Sequence, residues 1–207
     1  RRLTVLTRKN DTLSSARWDL DYVVEHDAWL VEIPEDPAGI PYADKLPKAG
    51  TLVVWEKMDR VGGSGHPATN AEADRQLDEA CRHIELVFHR FLAGAMRRRK
   101  VQIRVNGTPL RPIDPFCYDH DATGRGPVEL IPLGGESVEV QPFTLPHHSK
   151  VSADEWERNG RKEGYIKNQG FYVYRADRLI ISGTWFGLMK QTELTKLARV
   201  RIDTSNS

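Results

Sequence analysis

The stretch "QGFYVYRADRLIISGTW", Gln169 to Trp185, decides how the chain is read. Aromatic and branched side chains alternate up to Tyr174, a charged turn follows, and an aliphatic run closes on a tryptophan. Period-two alternation around a polar break is the pattern of a β-hairpin. Phe171 and Val173 then face one side of the sheet, and Tyr172 and Tyr174 the other. Arg175, Asp177 and Arg178 crowd the turn, where either a local ion pair or an inter-domain contact would use them. The residues just before the hairpin, Lys167 to Gly170, read as a polar turn.

Outward from the hairpin, the bulk numbers describe an ordinary globular chain. Its 207 residues suffice for one large or two small domains. Thirty basic residues against 29 acidic ones leave a net charge of +1, so no global charge calls for a polyanion partner. Cys81 and Cys117 are too few for a disulfide framework, which points to a reducing cytoplasm. No apolar run approaches the roughly 18 residues needed to cross a bilayer. The chain opens at Arg1 inside an alternating run, "RRLTVLTRK", and closes just after another, "LARVRID". That reads more naturally as a piece than as a whole protein.

Residues 1 to 60 read as β-rich. "NDT" is a turn, "SSARWDLDYVV" and "DAWLVEIPE" look like strands, "PAGIPYADKLPKAG" is a loop, and "GTLVVWEKMD" is a strong strand. Gly, Ser and Pro mark 61 to 69 as a linker. The period then changes to three and four from Asn70, through Leu77, Ile84, Phe88 and Phe91, to Ala95. This predicts one long amphipathic helix, capped by Thr69 or Asn70, with "RRRK" at 97 to 100 suiting its C-terminal dipole. Beyond it come a strand pair around Asn106-Gly107, a loop over "DPFCYDHDATGRGP", and two strands around "LGGES". At most one short helix is expected before the hairpin. A short helix over "WFGLMKQTELTKL" and a last strand, "ARVRID", complete an α+β chain whose second module, from 70 to 207, needs a helix crossing a mixed sheet.

Chemistry-bearing motifs are sparse. "VGGSG" is the one dense glycine cluster and sits where a linker is expected. No G-x-G-x-x-G, G-x-S-x-G or H-E-x-x-H occurs. Cys117, Asp119, His120, Asp121, His147 and His148 fit no closed zinc pattern and read as solvated loop residues, so no metal site is expected. Gly50 and Thr51, taken alone, are a loop end and a first strand residue.

Taken together, "RRLTVLTRKNDTLSSARWDLDYV", "GTLVVWEKMDR", "LPHHSK", the aromatic hairpin and "LARVRID" resemble the prokaryotic ATPases of the GHKL superfamily that are similar to MORC proteins. That superfamily also holds gyrase B subunits, MutL proteins, histidine kinases and large heat-shock chaperones. The resemblance implies that residues 1 to 60 are the last strands of the nucleotide-binding sandwich. It implies that 70 to 207 are a transducer domain, a βαβ-type fold like domain two of a small-subunit ribosomal protein, with the long helix as its crossover. Thr51 would then contact adenine, and Gly50 would let the backbone approach closely. The family's catalytic glutamate, magnesium-holding asparagine, adenine-reading aspartate and lid would all precede Arg1. ATP and magnesium therefore belong to the parent protein, and neither is expected bound to this chain alone. The γ-phosphate lysine is expected past Ser207, with Lys167 and Gln169 as the candidates inside the chain. The implied partners are the upstream ATPase half and a second protomer, with nucleic acid or a client protein beyond them. The competing reading is a non-enzymatic nucleic-acid-binding or protein-interaction module, in which "RRRK" and "VQIRVNG" form a basic edge.

Overall fold

A computed structural model describes residues 1–58, 69–94, 100–160 and 162–204. The linker expected at 61 to 69 lies outside them except for Thr69, as do Arg97 to Arg99 of "RRRK". The chain is α+β and separates into two units, Arg1–Gln76 and Leu77–Ser207.

In the first unit β1 (Arg2–Lys9), β2 (Thr12–Asp19) and, after α1 (Leu20–His26), β3 (Gly50–Glu56) form an antiparallel sheet ordered β2-β1-β3. Leu6 and Val54 are buried on one face against Ile40, Ala43 and Leu46 from the loop before β3. The strand expected over "SSARWDLDYVV" stops at Asp19, because that residue caps a helix. Its backbone is extended and its carboxylate accepts the Asp21 N–H at 3.1 Å. Burial works against the Asp19 carboxylate, but hydrogen bonds from Arg2, Lys57 and the Asp21 N–H outweigh it and hold the group at about 2. The strand expected over "DAWLVEIPE" shrinks to a single bridge between Arg17 and Glu32. Pro34 and Pro37 offer no N–H with which to prolong the pairing.

The second unit begins within α2 (Asn70–Val87). Thr69 and Glu72 cap this helix reciprocally: the Thr69 hydroxyl accepts the Glu72 N–H at 3.3 Å, and the Glu72 carboxylate accepts the Thr69 N–H at 3.5 Å. The long helix is broken at Phe88, whose φ of −106° and ψ of 20° leave the helical basin, and resumes as α3 (His89–Ala93). The break lets α3 turn onto the sheet, where the His89 ring nitrogen meets the Tyr174 hydroxyl at 2.9 Å. Next come β4 (Arg104–Val105), β5 (Thr108–Pro109), β6 (Gly124–Arg125), β7 (Glu129–Leu133) and β8 (Glu136–Thr144). Two helices, α4 (Ala153–Gly160) and α5 (Gly164–Lys167), replace the single one expected before β9 (Gly170–Arg175), β10 (Arg178–Thr184) and β11 (Ala198–Thr204). The main sheet is ordered β10-β9-β11-β8-β6, with β7 also on β8 and only β9 and β11 parallel.

Three features depart from the sequence reading. First, α2 packs on this sheet through Leu86 but connects no two of its strands, so it is not the expected crossover. Second, "WFGLMKQTELTKL" is a run of turns, in which Phe186 and Gly187 both take positive φ. Third, Asp177 at the hairpin turn pairs with Arg90 of α3, a contact within the second unit that the sequence did not single out. The turn itself is formed by Ala176 at φ 48° and Asp177 at φ 66°, both positive as a two-residue hairpin with type I′ geometry demands.

Arg90 ties two strands and the hairpin turn to α3. It forms a two-pronged pair with Asp203 of β11, reaches Asp177 at 3.3 Å, and stacks 3.7 Å above the Tyr174 ring. Beside it, burial drives the His89 pKa down to about 4. Arg90 reinforces the shift, and Asp114 and Asp203 oppose it. An unfolded histidine takes up its proton near pH 6.5, and the folded one not until about 4. This contribution is therefore complete above pH 6.5 and is lost as the pH falls toward 4. About 2 kcal/mol should be gone by pH 5. Urea unfolding across that window should show the slope in the native chain and a flatter profile in His89→Gln, which keeps a polar partner for Tyr174.

Candidate functional site

Gly50 and Thr51 open β3 directly opposite Arg8 and Thr7 of β1. The Thr7 hydroxyl donates to the Gly50 carbonyl at 3.1 Å and lies 3.3 Å from the Thr51 hydroxyl. Thr51 is exposed, and it begins an exposed row with Val53 and Trp55. Across the sheet the same face carries Thr7, Val5 and Leu3 of β1, then Ser14, Ala16 and Trp18 of β2. Trp18 stacks on Trp29 with ring centroids 5.8 Å apart. Trp55 and Trp29 keep 68% and 80% of their surface exposed. The result is a pair of hydroxyls at the end of an open apolar face. Hydroxyls both donate and accept, so this edge can bond the polar rim of a flat heteroaromatic ring that lies on the apolar part. Among the described residues it holds no carboxylate or imidazole, and exposed Lys9 brings an amine to the same face at the end of β1.

The other candidates lie in the second unit. Lys167 ends α5 with its side chain exposed, while its carbonyl accepts the Gln191 side chain at 3.1 Å. Gln169 is fully buried and its amide is consumed locally. Its nitrogen donates to the Ile166 and Thr192 carbonyls at 2.7 and 3.0 Å. Its oxygen accepts the Trp185 indole N–H at 3.2 Å, the Thr192 N–H at 3.4 Å and the Thr195 hydroxyl at 2.5 Å. Those bonds fold the 185–197 segment into turns and leave the amide nothing to offer a phosphate. Gln169 is thus a structural hub, and among the described residues the Lys167 amine makes no hydrogen bond or ion pair.

The residues weighed as metal ligands are dispersed into loop bonds. His120 contacts the Lys150 carbonyl at 3.1 Å, the His147 ring caps Ser149, and the Cys117 sulfur accepts the Asn159 amide at 3.0 Å. Burial pushes the Cys117 thiol up to about 11, which keeps it protonated and poorly nucleophilic. No group of three or more potential ligands is gathered among the described residues.

Sequence reasoning missed the buried polar set on the inner face of the main sheet: His89, Arg90 and Arg199. The alternation in "ARVRID" was the available signal, since it puts Arg199 and Arg201 on one face and Val200 and Ile202 on the other. It does not say which face the helices cover. Compared with known protein families and with curated proteins, the chain matches none.

Proposed function

We propose that the chain serves an ATP-dependent conformational switch of the GHKL type, supplying one edge of the nucleotide-binding sandwich and the transducer portion that follows it. The observation that carries this reading is the open face of the first unit, where Thr51 stands at the end of the apolar row Val53 and Trp55. A sheet face this apolar needs a second layer. In a nucleotide-binding sandwich that layer is another segment of the protein, and adenine lies at its margin beside the threonine. The hydroxyl pair at Thr7 and Thr51 suits a base and not a divalent cation, because among the described residues no carboxylate stands with it. Magnesium and the activated water therefore belong to residues other than these, and no catalytic step is assigned to this chain.

Calorimetry tests the reading in two steps. The 207 residues alone should show no ATP binding in the micromolar range. The longer parent protein should bind ATP, and Thr51→Val should weaken that binding about tenfold, the equivalent of one hydrogen bond to a polar ligand. Micromolar binding by the chain alone, or a parent indifferent to ATP or to Thr51→Val, would refute it.

A further inference from the structure

The outer strand of a sheet is a template for another strand, and proteins blunt such edges when nothing is to pair there. The main sheet of the second unit is blunted on both sides. β10 is interrupted by shifts of register at Ile180 and Gly183. On the other side β6 has two residues and β7 carries Pro132. In the first unit the outer edge of β2 is met by Glu32, which exchanges backbone bonds with Arg17 at 2.8 and 2.9 Å. β3 has none of these devices. It pairs with β1 in unbroken register over 7 residues, contains no proline, and has no strand on its other side among the described residues. The register fixes what this edge offers. Because Arg17 bonds outward to Glu32, its neighbour Thr4 bonds away from β2, toward Val54 of β3. Bonding direction alternates along a strand, so the N–H and C=O groups of Thr51, Val53 and Trp55 point to the open edge.

We infer that β3 pairs with β3 of a second copy of the chain, antiparallel and about a two-fold axis through Val53. The strand is self-complementary in that register. All 7 residues find a partner, and the outward-pointing groups meet one another. Val53 exchanges bonds with the second copy's Val53, and Thr51 with its Trp55. On the inner face Leu52, packed against the core of this unit, meets the second copy's Val54. Charge selects a second copy as the occupant. Glu56 stands against the second copy's Gly50, which has no side chain to crowd it, and two residues from its exposed Lys48. The two-fold axis makes this pairing twice. Arg2, opposite Glu56 on β1, bonds to Asp19 at 2.7 Å and leaves the Glu56 carboxylate without a hydrogen bond among the described residues. Lys57, the other charge at the seam, is held by Asp19 and Asp21 and faces Ala49, so no like charges stand opposite one another. The pairing uses the edge of β3, whereas the nucleotide reading uses its face, and neither rests on the other.

Sedimentation equilibrium of the full chain without nucleotide, from about 1 to 100 µM, should show a dimer. Val53 is the position to vary, because it meets itself across the axis and keeps 52% of its surface exposed in the single chain. Val53→Lys and Val53→Glu should each raise the dissociation constant roughly fivefold or more, since like charges then stand directly opposite. An equimolar mixture of the two variants should recover the loss, because each lysine then faces a glutamate. Recovery on mixing separates an interface from a folding defect. Amide hydrogen exchange gives a second readout: the N–H groups of Thr51, Val53 and Trp55 should exchange more slowly as rising concentration drives association. A monomer across the whole range overturns the inference, as does a dimer that both substitutions leave intact. So does a loss that mixing fails to repair, or a dimer in which those three amides exchange as fast as in the monomer.

Discussion

Replacing Gly170 with alanine should cost the second unit about 3 kcal/mol or more and lower its melting temperature by roughly 10 °C. Gly170 sits at φ 110°, and a Cβ there would lie 2.5 Å from the Thr184 carbonyl oxygen and 2.6 Å from its carbon. Both atoms are backbone of the paired strand β10, so neither can rotate away. Relief requires β9 and β10 to separate at the base of the aromatic hairpin, beside the Gln169 hub. Thermal unfolding followed by tyrosine and tryptophan signals reads the effect. As a control, Gly107→Ala has the same kind of positive φ, 81°, but nothing within 4 Å. It should cost only about 1 kcal/mol. Equal losses at the two positions would show that the close approach at Gly170 is not what matters.

Arg199→Ala should be nearly as severe, at about 3 to 5 kcal/mol. Arg199 keeps 1% of its surface exposed, and no carboxylate pairs with it among the described residues. It donates instead to the carbonyls of Pro115 and Asn159, the latter at 3.0 Å in the last turn of α4. The negative end of that helix dipole and the rings of Tyr172 and Tyr165, 5.3 and 5.8 Å from the guanidinium, stand in for a counter-ion. Alanine would leave two buried carbonyls orphaned and a void between the tyrosines. Arg199→Met fills the void without answering the carbonyls, so it should recover about half of the loss. Urea denaturation of both variants makes the comparison. If methionine proves no better than alanine, hydrogen bonding and charge dominate at this site, and packing contributes little.

Much of the local structure was legible because it depends on neighbours in sequence. The hairpin at 170–184, the Asn106-Gly107 turn, the strand opening at Gly50 and the cap at Thr69 follow from alternation, turn chemistry and capping. What misled was apolar content without periodic support. "DLDYVV" is as apolar as a strand, yet Asp19 redirects it into a helix with a single side-chain hydrogen bond. "WFGLMKQTELTKL" has helical composition, but its partner is Gln169, 16 to 28 residues upstream, and that amide imposes turns instead. The break at Phe88 has a comparable cause, since His89 and Arg90 bond to groups more than 80 residues away.

The candidate site shows the same division. Gly50 and Thr51 could be placed at the start of a strand from sequence. Only the register adds Thr7 beside them and puts the pair on the open apolar side of the sheet. The sequence by itself determined an α+β chain, its strong strands and its hairpin turns, because propensity and period act over a few residues. Tertiary structure alone decided which face of each strand was covered. An alternating strand has two faces that sequence cannot rank when one is charged and the other apolar. In "ARVRID" it was the charged face that went inward, because α4 could offer Arg199 a carbonyl and α3 could offer Asp203 an arginine.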